Sequence, residues 1–189
     1  YGKKKAEYAN AAHTLNYTGP QYVADMLAGL YPNHRDKVTI LDMAAGTGFV
    51  GEELHKRGFV NIHAHEGSVE MLETSREKGV YSHFLLCLLT EENGLPLLSD
   101  TYDAISMSGG AAENHLPPCA QEELARVIKP GGYFVNSYRA TLLASDYGKQ
   151  WEEVAKKLED NGKWKMYGRM TFRNYNVLTG GIVDIYKVL

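Results

Sequence analysis

The chain has 189 residues, a formal net charge of −3, 44% hydrophobic and 23% charged residues, and two cysteines. That length suits one well-buried domain and is short for two, and the weakly acidic balance gives no global attraction to nucleic acid or to an anionic membrane. Cys87 and Cys119 stand far apart with no C-x-x-C, which argues against a disulfide framework or a cysteine zinc site, and no apolar run approaches the length of a membrane span.

In chain order, residues 1–13 read as a short polar helix carrying Tyr8, and 14–19 as a loop with Tyr17. Pro20 suits a first helical turn, and Val23, Met26, Leu27 and Leu30 repeat as one apolar face, stopped by Pro32-Asn33. A strand follows at 38–42 and a helix at 49–57, ended by Gly58. The second strand runs from Val60 to His65 and ends at Glu66; Ser68 is a good N-cap for a helix from Val69 to Lys78. A third strand covers 83–88 and a fourth Tyr102 to Ser106, with loops at 90–101 and 109–118. A helix at 119–128 leads through Lys129-Pro130-Gly131-Gly132 into a fifth strand, Tyr133 to Ser137. A helix from Ser145 to Glu159 puts Tyr147, Trp151, Val154 and Leu158 on one stripe. Runs at 164–173 and 181–188, joined through Thr179-Gly180-Gly181, read as a terminal hairpin. Alternating strands and helices predict a mostly parallel sheet with helices on both faces and an antiparallel addition at one edge.

The chemistry concentrates at the first strand–helix junction. Asp42 closes the strand, and Ala44, Ala45, Gly46 and Gly48 then bring bare backbone to a helix N-terminus. Such a turn lets a nucleotide-like ligand approach closely. Gly46-Thr47-Gly48-Phe49-Val50-Gly51 satisfies G-x-G-x-x-G, with Glu66 downstream to hold a ribose, which is a dinucleotide pattern. The same residues also read in another frame, Asp42-x-Ala44-x-Gly46-x-Gly48. A carboxylate at the strand end repels a pyrophosphate and attracts a cation.

The second frame resembles motif I of the class I S-adenosylmethionine (SAM) methyltransferases. Glu66-Gly67-Ser68-Val69-Glu70-Met71-Leu72 resembles their motif II, and Tyr102-Asp103-Ala104-Ile105 their fourth strand. Leu124 to Gly132 is similar to the L-x-R-V-L-K-P-G-G turn before the fifth strand. The spacing of Tyr1 and Tyr8 is similar to an N-terminal cap of many small-molecule members. Within the class, the chain most resembles the methyltransferase-like family named after the Williams-Beuren syndrome region. It departs from the pattern with Ala45 for a frequent Cys, Glu66 for a frequent Asp, and Gly2 and Ala9 where the cap usually has acids.

The resemblance implies a three-layer Rossmann-like fold with a mostly parallel seven-stranded sheet and a C-terminal antiparallel hairpin. It implies one domain over 1–189: a lid at 1–19, a cofactor-binding core at 20–137, and a C-terminal helix and hairpin at 138–189. SAM is the expected cofactor and S-adenosylhomocysteine the product. Asp42 is expected to attract the methionine amine; Ala44, Gly46, Thr47 and Gly48 flank that half, and Tyr8 lies in the cap over it. Glu66 is expected on the ribose hydroxyls, with Gly67, Ser68 and Met71 beside it, and Cys87 and Leu88 on the adenine. Met107, Ser108 and Gly109 would line the methyl-transfer mouth, with His115 the candidate base. Arg139, Arg169 and Arg173 are candidates for an acidic substrate. His63 and His65 share a strand face but lack further ligands for a metal. An unidentified small-molecule acceptor, a monomer, a cytoplasmic setting and no nucleic-acid or membrane partner are expected. A nicotinamide-dependent oxidoreductase and a SAM-binding module without turnover are the alternatives.

Overall fold

In the computed structural model, residues 17–189 are described. The polar helix expected at 1–13, Tyr8 with it, lies outside the described residues. Helix α1 (Gly19–Leu30) takes Pro20 into its first turn, where a missing N–H breaks no helical bond. It buries Val23, Ala24 and Leu27, while Met26 and Leu30 pack at the margin of that core.

The alternating part follows as β1 (Thr39–Met43), α2 (Phe49–Lys56), β2 (Asn61–Glu66), α3 (Val69–Glu77), β3 (His83–Leu86), β4 (Tyr102–Ser108), α4 (Ala120–Val127) and β5 (Ile128–Arg139). Helix α5 (Asp146–Asp160), capped by the Ser145 hydroxyl accepting from the Gly148 amide, precedes β6 (Trp164–Asn176) and β7 (Thr179–Val188). The seven strands form one sheet in the order β3-β2-β1-β4-β5-β7-β6. The first five pair in parallel; β7 runs antiparallel to both β5 and β6.

Side-chain alternation along the strands sends apolar groups to both faces. Ile40, Ile62, Ala64 and Val135 pack with α1, α2 and α3, through Val23, Leu27, Val50, Leu54 and Leu72. Leu41, Met43, Ile105, Phe134 and Tyr186 pack with α4 and α5, through Leu124, Val127, Trp151 and Leu158. The sheet is thus the middle of three layers.

Two elements differ from expectation. The Lys129–Gly132 turn lies inside β5 as an irregularity: Ile128 pairs with Tyr102, and pairing resumes at Tyr133 with Ala104. The hairpin turns at Val177-Leu178, because the Asn176 side-chain oxygen accepts from the Leu178 and Thr179 amides at 2.9 Å each. Gly180 and Gly181, expected to form the connection, are in β7. There the Phe172 ring crosses Gly181 so closely that a Cβ would sit 2.2 Å from it.

Candidate active site at the strand ends

The strand order reverses between β2-β1 and β1-β4, and open α/β sheets place their ligand crevice outside the strand carboxyl ends at such a point. A cavity of about 330 Å³ lies there, within the size range of cofactor sites. Its wall takes Ala44 and Gly46 from the end of β1, and His65, Glu66, Gly67, Ser68 and Met71 from the end of β2 and the start of α3. Cys87, Leu88 and Leu89 follow β3. Ser108, Gly109, Gly110, Asn114, His115 and Leu116 follow β4.

Glu66 is held firmly. Its Oε2 accepts from the Gly46 amide at 2.8 Å, and its Oε1 from the Gly67 and Ser68 amides at 3.0 Å each. Charge-assisted bonds of this kind are worth about 1.5–3 kcal/mol each. The carboxylate therefore staples the first βα turn to the second. A carboxylate offers about four acceptor sites, so three amides leave about one for a ligand. The two ribose hydroxyls expected on Glu66 cannot both be accepted without releasing or sharing an amide bond.

Asp42 is elsewhere. It is fully buried and does not border the cavity. Tyr81 donates its hydroxyl to Oδ2 at 2.6 Å, and Ser106 to Oδ1 at 3.0 Å. Burial pushes the carboxyl pKa up to about 7, against those two bonds and with a further rise from the Glu66 charge. Asp42 is expected from the sequence to attract a ligand amine directly or through water; its side chain is instead engaged by Tyr81 and Ser106 behind the cavity wall. Tyr81 reaches it across Gly51, where a Cβ would sit 2.2 Å from the tyrosine ring. The third glycine of G-x-G-x-x-G thus admits a tyrosine.

Gly48 and Met107 also stand outside the cavity wall. Gly48 caps α2 with φ at 91°, and Met107 is fully buried. Thr47 borders a small side pocket with Tyr17, Gly46 and Ser108; its buried hydroxyl has no partner among the described residues. Ala44, a non-glycine residue at φ 53°, stores backbone strain on the order of 1 kcal/mol at the turn. His115 is exposed at the cavity, with Nδ1 3.0 Å from the Glu113 carbonyl oxygen. Arg169 is committed to the hairpin: its guanidinium donates to Asp184 at 2.6 and 2.8 Å and to Glu152 at 2.9 Å, which takes it from an acidic substrate.

Sequence reasoning missed His65, Leu89, Gly110, Asn114 and Leu116 as lining residues, and Tyr17, whose hydroxyl lies 2.5 Å from Ser108 Oγ and 3.1 Å from the Tyr175 hydroxyl. The alternation of His63 and His65 was visible, but nothing local distinguished their surroundings.

Fold and site together define an open α/β domain with a cavity at the switch point of its sheet. The comparisons make this specific. A methyltransferase domain model matches residues 41–136, and the chain belongs to that family. It is similar to Methyltransferase-like protein 27 of Homo sapiens, 33% identical over 165 residues, covering 87% of this chain and 66% of that protein. It thus spans slightly less than two thirds of that relative's length. It is 27% identical to a SAM-dependent methyltransferase structure from Aquifex aeolicus, with TM-score 0.60 over 86% of this chain and 88% of that one. A TehB-like SAM-dependent methyltransferase from Corynebacterium glutamicum shares the fold at 15% identity, with TM-score 0.70 and 100% coverage of both chains. No helix among the described residues is long and apolar enough to cross a membrane.

Proposed function

We propose that this chain binds SAM in the strand-end cavity and transfers its methyl group to a small-molecule acceptor. The observation that carries the choice of cofactor is the charge of the wall: among the described residues it holds the Glu66 carboxylate and no lysine or arginine. An acid at this place can hold the ribose of either cofactor, so what disfavours a pyrophosphate is the lack of a lysine or arginine in the described wall. A sulfonium cation meets the opposite sign. The wall also fits in shape, with small residues at Ala44, Gly46 and Gly67.

SAM, when bound, supplies an activated methyl group and a neutral leaving sulfide. The protein's part is to bind, align and exclude water. In this reading Glu66 takes a ribose hydroxyl, and Cys87 and Leu88 flank the base. Ala44 and Gly46 border the methionine half, and Ser108 and Gly109 face the mouth. His115 supplies a base when the acceptor arrives protonated. With Nδ1–H given to the Glu113 carbonyl, Nε2 keeps its lone pair for that proton.

Calorimetry with SAM, S-adenosylhomocysteine and NAD tests the reading. We expect binding of the first two and none of the third. NAD binding with no heat from SAM would replace it by the oxidoreductase alternative, and SAM binding without labelled-methyl transfer to any component of a metabolite extract would favour a binding module.

A further inference from the structure

His65 is flanked in register by Met43 on β1 and Leu85 on β3, both apolar. Its side chain faces away from the layer that receives Ile62 and Ala64. The residue is 2% exposed, and neither ring nitrogen has a hydrogen-bond partner among the described residues. Burial lowers its pKa to about 4, so the ring is neutral; the backbone groups of His65 and Cys87 lie near enough to oppose that shift but make no hydrogen bond of good geometry to the ring. A neutral imidazole presents one N–H and one lone pair. Burying both unpaired is costly, and native structures rarely leave such groups unanswered. His65 is one of the residues that line the cavity. Its place one residue before Glu66 sets it between Met43 and Leu85 at the strand ends, with its carbonyl accepting from the Ala45 amide at 2.9 Å.

We propose that His65 is a ligand-binding side chain whose imidazole hydrogen-bonds the purine base of the adenosyl group. This rests on the SAM reading and adds a contact that selects the base. An adenine edge carries ring-nitrogen acceptors and an amine donor, and a neutral imidazole can make one hydrogen bond to either, giving its N–H or accepting at its lone pair. An apolar residue at 65 would fill the same space with no such preference.

The test compares wild type with His65→Val and His65→Gln, using S-adenosylhomocysteine and adenosine as calorimetric probes and thermal melts without ligand. His65→Val removes two unpaired buried polar atoms, so its unliganded melting temperature should equal or exceed wild type. Its affinity should nevertheless fall about five- to twentyfold, the worth of one neutral hydrogen bond, and equally for both probes. His65→Gln should recover part of that loss. Opposite signs for stability and affinity are what a purely structural histidine would not give. Unchanged affinity in His65→Val overturns the proposal, as does a loss for S-adenosylhomocysteine with adenosine unaffected. Should the variants not fold, the ring-nitrogen chemical shifts of wild-type His65 must move on adding adenosine, and static shifts overturn it equally. A wild type that binds neither SAM nor S-adenosylhomocysteine would instead sink the underlying reading, and this inference with it.

Discussion

Asp42 near the end of β1 and Glu66 at the end of β2 stand on neighbouring strands, and their carboxylates take different partners. Asp42 pairs in register with Ala64, two residues before Glu66. That offset keeps Asp42 within the sheet, under α2, where Tyr81 and Ser106 supply its hydrogen bonds. Glu66 is the last residue of its strand, and its side chain meets the amides of two loops at the cavity. One acid is enclosed by the fold and the other borders the cavity. In the proposed reading, a register difference of two residues separates a carboxylate that meets only protein from one open to a ligand.

The pair of variants Glu66→Ala and Asp42→Asn breaks this comparison most directly. Removing Glu66 deletes the ligand bond and frees the two turns it ties, so SAM should bind about 2–4 kcal/mol more weakly, roughly 30- to 1,000-fold. Asp42→Asn keeps an acceptor for a hydroxyl and leaves the cavity wall intact; SAM affinity should stay within about threefold of wild type, less than 1 kcal/mol. Calorimetry on both decides. A large loss in the Asp42 variant and none in the Glu66 variant would exchange their roles.

Gly51→Ala attacks the Asp42 side alone. The added Cβ meets the Tyr81 ring at 2.2 Å and has to push it from Asp42 and from the Gly51 amide, which donates to the Tyr81 hydroxyl at 3.2 Å. Overpacking of this kind costs about 1–3 kcal/mol, and each kcal/mol lowers Tm by about 2–4 °C in a chain of this size. An unchanged melting temperature would mean that the tyrosine does not pack there. Ligand affinity, measured well below Tm, should change far less than stability.

These contacts also mark how far the sequence could be read. The order of strands and helices was legible because each element carries its own period; Ala44, Gly46, Glu66 and Ser108 stood at strand ends, while Gly67, Ser68 and Cys87 were expected at the cavity from the family resemblance. Asp42 was placed at the strand end correctly, but its partner Tyr81 is 39 residues away. No local pattern announces that pairing. The same holds for Tyr138 and Asp184, 46 residues apart, which share a buried hydrogen bond beside Arg169. The glycines at 180 and 181 read as a turn because the crossing Phe172 ring is invisible in sequence, while the Asn176 side chain that actually makes the turn was passed over. His65 was seen as half of an alternating histidine pair, and its environment came from Met43, Leu85 and the loops beyond.

The finest test sets the cavity and the buried network against each other through pH. The folded pKa of Asp42 lies above the ordinary carboxylate value, so the folded state holds its proton more tightly than the unfolded chain does. Its burial costs nothing at low pH, and the cost grows as pH rises from about 4 to about 7. The folded pKa of His65 is depressed, so the unfolded chain binds the proton more tightly. That cost is largest at acid pH and fades as pH rises from about 4 to 6.5. The two contributions therefore slope in opposite directions over nearly the same window and partly cancel in the wild type. Subtracting the wild-type Tm from each variant's at every pH removes the contribution of all other groups. The difference for His65→Val should be most favourable near pH 4 and shrink toward neutrality; the difference for Asp42→Asn should be smallest near pH 4 and grow toward pH 7. Each change should be on the order of ten degrees at most across that window. Parallel slopes would show that one of the two groups is not buried in the charge state that its partners dictate.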